Sequence, residues 1–385
     1  MILSDYVELN PRVALPRDSL VPFVSMNVVT PGTRKAYPVQ ERPATGSGSK
    51  FAPGDTLFAR ITPCLENGKI AQYAGDRPGM GSTEFFVLRA RAGISDSGYV
   101  YYFAQSHDLR SAAEKSMSGA SGRQRAVIAS LSEFECDFPP LPIQRRIAGI
   151  LSAYDELIEN SQRRIKILES MARALYREAL GASNQAATSR PIVDSPFWRF
   201  ISENVSNYAG TKRYFATADI EGLAVIGAGI DYSFADKPSR AQKQPIPNSV
   251  WFARMKETYK IAWYGPRNDD RVSGVVLSSG FAGFEASDAE LWPLLFLTVS
   301  SKEFHVQKDL YCTGATQMSL TNEGMARIML PIPDEESARR LGRDAGPMLD
   351  AIASLQSRNY NLRRTRDLLL PRLISGELDV EASAA

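Results

Sequence analysis

Arg60 ends the segment Leu57-Phe58-Ala59-Arg60, and Arg254 ends the matching segment Trp251-Phe252-Ala253-Arg254. A planar guanidinium presents parallel donors to a guanine edge or a phosphate, so an arginine repeated after an apolar strand suits recognition of an acceptor-rich partner. Lys69 and Lys260 recur in the same way, in Lys69-Ile70-Ala71 and Lys260-Ile261-Ala262, and Lys256 lies between the second pair of cations. The loops Ser116–Arg125 and Thr313–Ser319 are rich in Gly, Ser, Thr and Gln, and they add Arg123, Gln124, Arg125, Thr313 and Gln317. Small residues let a backbone approach a phosphate, and side-chain amides reach an adenine edge. Intradomain ion pairs and plain turns are the competing reading of the same residues.

Residues for bond-making chemistry are scattered by comparison. His107 and His305 are the only histidines and share no motif, so neither a histidine-based triad nor a zinc site is expected. Cys64, Cys136 and Cys312 are odd in number and far apart, which suggests no disulfide framework and fits a reducing cytoplasm. Asp334-Glu335-Glu336 has the composition of a metal site, but it falls where a helix starts and acidic residues favour the dipole. Gly227-Ala228-Gly229 lacks the strand and helix that a cofactor-binding glycine loop needs. No metal and no cofactor of the chain's own is expected.

The elements that position the repeated residues themselves repeat. Gly81-Ser82-Thr83-Glu84-Phe85 returns as Leu277-Ser278-Ser279-Gly280-Phe281, Ser118-Gly119-Ala120 as Thr313-Gly314-Ala315, and Pro140-Leu141-Pro142 as Pro331-Ile332-Pro333. All the matches keep one order, at offsets between 191 and 196, which is the mark of an internal duplication. Each half has a front part with short apolar runs, such as Thr56–Ile61, Glu84–Leu88 and Val275–Leu277, broken by turn residues. Helices are expected at Tyr99–Glu114 and Glu290–Lys302. With 385 residues the chain has room for two domains. It has no apolar run long enough to span a membrane, and from the residues Met1–Asn10 no secretory leader is expected. The net charge is only +2, so any nucleic-acid contact must come from basic groups clustered on one face.

Each front part leads into a long helix. Between Ile143 and Leu180, Ile147, Leu151, Tyr154, Ile158, Ser161, Ile165, Leu168, Ala172, Leu175 and Ala179 alternate in steps of four and three. Such a helix is about 55–60 Å long. The second shows the same spacing at Ala338, Leu341, Ala345, Met348, Ile352, Leu355, Asn359 and Leu362. Gly346-Pro347 predicts a short helix followed by a long one, with Pro347 in its first turn and Pro371 and Gly376 closing it. The cheapest partner for each apolar stripe is the other helix, in an antiparallel pair whose register Asn359 could fix.

Two diverged halves, each leading through a proline-rich entry into a long helix, resemble the specificity subunits of type I restriction–modification systems. The residues that carry the resemblance are Phe138-Pro139-Pro140-Leu141-Pro142-Ile143-Gln144-Arg145-Arg146-Ile147, Arg173-Ala174-Leu175-Tyr176-Arg177-Glu178, Leu330-Pro331-Ile332-Pro333 and Leu373-Ile374-Ser375-Gly376-Glu377-Leu378. Gly54-Asp55-Thr56-Leu57-Phe58-Ala59-Arg60 and Thr313-Gly314-Ala315-Thr316-Gln317 resemble further elements of that family.

The resemblance implies an α+β chain with a pseudo-two-fold internal repeat: two strand-rich target-recognition domains separated by two long helices in an antiparallel coiled coil. The expected division is residues 1–141 and 197–333 for the recognition domains, 142–181 and 334–378 for the helical regions, 182–196 for a linker and 379–385 for a tail. Function follows as an expectation. Each domain reads one half of an asymmetric, split site in double-stranded DNA, with half-sites roughly 34–70 Å apart. The helices recruit methyltransferase subunits, about two, that use S-adenosylmethionine to methylate adenine, and restriction and translocase subunits join them. Leu151, Tyr154, Ile158, Ile165, Leu168, Met348, Ile352, Leu355 and Leu362 are the expected seam and partner residues. A methyltransferase of its own is the rival: Asp137-Phe138-Pro139-Pro140-Leu141 echoes the Asn- or Asp-Pro-Pro-aromatic motif, but Phe138 intervenes and Leu141 is not aromatic. A protein-only coiled-coil adaptor, or the specificity part of a related methyltransferase or nuclease system, is the remaining alternative.

Overall fold

The computed structural model describes residues 1–16, 18–119, 123–181, 188–266, 272–315 and 317–380. Parts of the expected linker (182–187) and tail (381–385), and residues 120–122 and 316 of the two Gly-rich loops, lie outside the described residues. The chain divides into two compact units, Met1–Asn160 with Asn359–Ala385, and Ser161–Arg358.

In the first unit a five-stranded sheet runs in the order Val7–Leu9, Phe85–Ala90, Thr56–Ala59, Ile70–Tyr73, Lys35–Ala36. Thr56–Ala59 is buried at every residue, which explains why it reads as an apolar run and not as an alternation. A four-stranded sheet, Gln40–Pro43, Leu20–Val24, Gly79–Gly81, Ser49–Phe51, has a parallel pair at its centre. Helix α1 (Ser97–Ala104) is aromatic and buried, sharing a core with Phe58, Phe86 and Leu88. Sequence predicted one helix over Tyr99–Glu114. Instead α1 stops at Ala104 and α2 (His107–Lys115) begins behind Ser106, whose hydroxyl accepts from the Leu109 N–H at 3.4 Å. A serine that can cap new donors is a place to start a second helix. Helix α3 (Leu141–Gly181) follows as a single element.

The second unit repeats this plan. Its first sheet runs Trp198–Ile201, Phe281–Ala286, Ser249–Ala253, Ile261–Tyr264, and its second runs Ile230–Tyr232, Lys212–Phe215, Val275–Ser278, Ala241–Lys243, again with a parallel central pair. Helix α4 (Trp292–Val299) is buried throughout, and α5 (Lys302–Leu310) starts behind Ser301, which caps Phe304 at 3.1 Å. The helix expected over Glu290–Lys302 is α4, and Ser301 caps the start of the next helix at the end of that span.

Helix α6 (Glu335–Ile374) corrects the expected break: it runs unbroken through Gly346-Pro347, and Pro371 lies inside it. Ala338, Leu341, Ala345, Leu349 and Ile352 are buried on one stripe that keeps its phase across the proline, while Pro347 itself is exposed. The proline forfeits one backbone hydrogen bond at the surface, and the packing on the other face outweighs it. Gly342 is required there, because a Cβ would stand 1.9 Å from the Glu290 carbonyl oxygen. Gly376, with φ +74°, follows the end of the helix. Within the first unit Ile147 and Leu151 of α3 share a core with Leu369, Leu370 and Leu373 of α6, and Asp155 pairs with Arg366, so the two helices run in opposite directions. Within the second unit, Ile165, Leu168, Ala172 and Tyr176 share a core with Leu341, Ala345, Leu349 and Ile352.

Candidate nucleic-acid interface

Each unit turns the same corner after its central strand. In the first, the Ala59 N–H donates to the Lys69 carbonyl (3.1 Å), Arg60 to Glu84 (3.0 Å), Thr62 to Gln124 (3.0 Å) and Ala126 to Arg60 (2.8 Å). In the second, Ala253 donates to Lys260 (3.0 Å), Arg254 to Gly280 (2.9 Å), Lys256 to Met318 (3.0 Å) and Leu320 to Arg254 (2.9 Å). The hairpin that closes each corner carries a glycine at φ +121° (Gly119) or +129° (Gly314), a region that residues with a Cβ rarely adopt. Arg60 and Arg254 thus hold the same backbone position, as do Glu84 and Gly280, and Arg125 and Ser319.

The side chains on this shared backbone differ. Around Glu84 the first corner assembles an ionic triad. Arg125 donates from Nε at 2.9 and 3.0 Å and from Nη2 at 2.6 Å, and Arg60 donates from Nε at 3.2 Å. The Arg60 guanidinium also lies 5.5 Å from the Phe86 ring centroid. The hydrogen bonds from Arg125, helped by the charges of both arginines against the cost of burial, hold the Glu84 carboxyl below the usual carboxylate range. Arg254 has a glycine in place of that carboxylate. It donates to the Leu320 carbonyl (3.2 Å) and to Asn322 Oδ1 (2.9 Å), and burial pushes its pKa down.

The lysines are tied into the scaffold. Lys69 Nζ donates to the Met26 carbonyl at 3.1 Å, and Lys260 Nζ to the Thr217 carbonyl at 3.0 Å, with Glu221 at 3.4 Å. Lys256 is half-buried beside Met318, its Nζ 3.8 Å from the sulfur. Arg123, Thr313 and Gln317 are exposed, and Gln124 is half-buried. Below the second corner, Lys308 is fully buried and donates to the carbonyls of Met255 (2.8 Å) and Thr258 (3.0 Å), while Asp309 accepts from the Glu257 N–H at 2.9 Å. These two fix the turn that presents Lys256.

Along the helices Leu151, Ile158, Ile352 and Leu355 are buried, and Tyr154, Ile165, Leu168, Met348 and Leu362 are half-buried. Asp155, Leu349 and Arg366 stand on the buried stripes where the heptad reading placed neighbours or stopped. Asn359 is buried, and its Oδ1 has no hydrogen-bond partner among the described residues.

Sequence reasoning missed Glu84, Asn322, Lys308, Asp155 and Arg366. Glu84 had a signal, because the aligned repeats set it against Gly280, a change of charge at a matched position. Asp334 accepts from the Ser337 N–H at 2.8 Å at the start of α6, the helix-start place expected for Asp334-Glu335-Glu336. Among the described residues no group of His, Cys, Asp or Glu is placed to hold a metal, and no helix is long and apolar enough to cross a membrane.

The family model described as the type I restriction modification DNA specificity domain matches residues 65–170. The MjaIX type I restriction enzyme specificity subunit of Methanocaldococcus jannaschii is 35% identical over 311 residues, 74% of this chain and 70% of that protein. The EcoAI specificity subunit of Escherichia coli is 25% identical over 252 residues, 62% of this chain and 41% of that protein. The chain thus spans about two fifths of the length of the E. coli relatives it matches. In three dimensions the type I restriction–modification S subunit from M. genitalium superposes with a TM-score of 0.55 at 14% identity, over 97% of this chain and 95% of that one, a likeness of fold alone. Taken with the duplicated architecture, the MjaIX match shows that this chain belongs to the type I restriction enzyme specificity subunits.

Proposed function

We propose that this chain is a DNA-reading subunit without chemistry of its own. It reads an asymmetric split site, one half with residues 1–141 and the other with 197–333, and it recruits adenine methyltransferase and restriction subunits through α3 and α6. The observation that carries this reading is one corner built twice with different side chains, Arg60–Glu84–Arg125 in the first domain and Arg254–Gly280–Ser319 in the second. A duplicated scaffold with unlike polar groups suits two half-sites of unlike sequence, since bases are told apart by the pattern of donors and acceptors that meets them. Arg60, Lys69, Arg123, Gln124 and Arg125 are the candidate contacts on one half, and Arg254, Lys256, Lys260, Thr313 and Gln317 on the other. The role of the relatives, specificity subunits of type I restriction enzymes, supports the choice of partners. S-adenosylmethionine belongs to the methyltransferase subunits, and the assembly works in the cytoplasm.

The test is to recover the tagged chain from its native cells, identify what accompanies it by mass spectrometry, and select bound sequences from random duplex DNA. An accompanying adenine methyltransferase and a split motif with two different halves are expected. Recovery of the chain with no methyltransferase and no sequence preference would contradict the reading and favour a protein-only adaptor.

A further inference from the structure

The two corners differ most in one carboxylate. Glu84 is 18% exposed and lies between two guanidiniums that are more open, Arg60 at 32% and Arg125 at 46%. It occupies Nε of Arg60, and Nε and one Nη of Arg125. Among the described residues no other partner takes the remaining nitrogens, Nη1 and Nη2 of Arg60 and Nη1 of Arg125. The triad therefore carries one net positive charge instead of two, and its free donors are held in a fixed arrangement. In the second domain Gly280 leaves Arg254 without this restraint, and neutral acceptors alone receive its hydrogen bonds among the described residues.

Phosphates and base edges respond differently to such an arrangement. A phosphate attracts through charge, so a carboxylate within the triad weakens its hold. A guanine edge is neutral and needs two aligned donors, so the same carboxylate costs it less and its orienting effect is a gain. We propose that Glu84 is a specificity-determining residue: it holds the Arg60 and Arg125 guanidiniums away from DNA phosphates and aligns their free donors for a base edge. This rests on the DNA-reading function proposed above. The first domain then trades sequence-independent affinity for selectivity, and the second, with glycine at the matching place, does so less.

The experiment uses the full chain as wild type and as Glu84→Gln, Gly280→Glu and the control Glu135→Gln, an exposed carboxylate in the first unit. Affinity for a random-sequence duplex of about 40 base pairs is measured between about 50 and 200 mM salt, and bound sequences are selected from a random library. Glu84→Gln is expected to bind the random duplex more tightly, with a salt slope steeper by about 0.9 for each guanidinium that gains a phosphate. Over that fourfold range of salt, its advantage over wild type shrinks about 3.5-fold for each such contact. One half of its selected motif loses definition while the other half stays as in wild type. Gly280→Glu gives Arg254 a carboxylate and is expected to flatten the slope, and it keeps the test open should Glu84→Gln fail to fold. Glu135→Gln leaves slope and motif unchanged.

A wild type that binds DNA, with Glu84→Gln sharing its slope and motif, overturns this inference alone. So does a Glu84→Gln that binds every sequence more weakly with an unchanged slope, which is the mark of structural damage. A wild type without salt-dependent duplex binding overturns the inference together with the reading beneath it.

Discussion

His305 shows how burial sets one side chain's response to pH. Its ring packs against Tyr259, with centroids 4.6 Å apart, and against Phe304 at 5.2 Å. Burial, with Lys308 adding to it, pushes its pKa down to about 4. An unfolded histidine titrates near 6.5. Between these values the unfolded chain takes a proton that the folded one refuses, so stability is full above about 6.5 and is lost as the pH falls toward 4. Urea unfolding of the wild type is expected to show a lower midpoint at pH 5 than at pH 7.5, and His305→Leu a smaller difference. Equal losses in the two proteins would sink this assignment. The residue scale was only partly legible in the sequence. Arg60 and Arg254 announced themselves by recurring, but the partner of Arg60 stands 24 residues away and arrives by strand pairing. No spacing rule finds such a partner without the register of the sheet.

The long helices carry their own test. Asp155 of α3 and Arg366 of α6 form a buried ion pair, side chains 8% and 9% exposed. Tyr102 donates to Asp155 at 2.5 Å and Arg366 to the Gly32 carbonyl at 3.0 Å, so within the first unit the pair joins both helices to the residues around Tyr102 and Gly32. Removing Asp155 leaves the buried Arg366 guanidinium with the exposed Asp367 carboxylate (2.8 Å) and the Gly32 carbonyl, so the cost falls below the about 3–5 kcal/mol of a wholly uncompensated buried charge, whereas replacing both partners by apolar residues is often neutral. Asp155→Asn is therefore expected to lower the midpoint of chemical unfolding more than the double change Asp155→Leu with Arg366→Met. A double variant less stable than the single one would contradict the assignment. The heptad pattern made these helices readable, because four–three spacing of apolar residues reports a buried seam directly. It could not show that the seam continues through Arg366, since a charged residue breaks the pattern it extends. Pro347 misled for the opposite reason: its effect on the backbone is local and visible in sequence, while the packing that overrides it is spread along the stripe.

At the scale of the molecule the duplication organises everything else. Both units carry two sheets of matching strand order, the first sheet one strand longer in the first unit, and a pair of helices whose second member starts behind a capping serine, and both present an arginine at one matched corner. Sequence revealed the duplication because offsets persist even where residues have diverged. The order of the strands stayed hidden, since it depends on pairings between segments far apart in the chain. With a net charge of only +2, the proposed DNA reading requires cations clustered in place and not a large total. In the proposed function each domain reads its own half of a split DNA site. The most direct measurement is selection of bound sequences from random duplex DNA by the wild type, Arg60→Ala and Arg254→Ala. Each variant is expected to blur one half of the motif, a different half for each, and to keep the other. Two variants that select the wild-type motif unchanged, or that blur the same half, would contradict it.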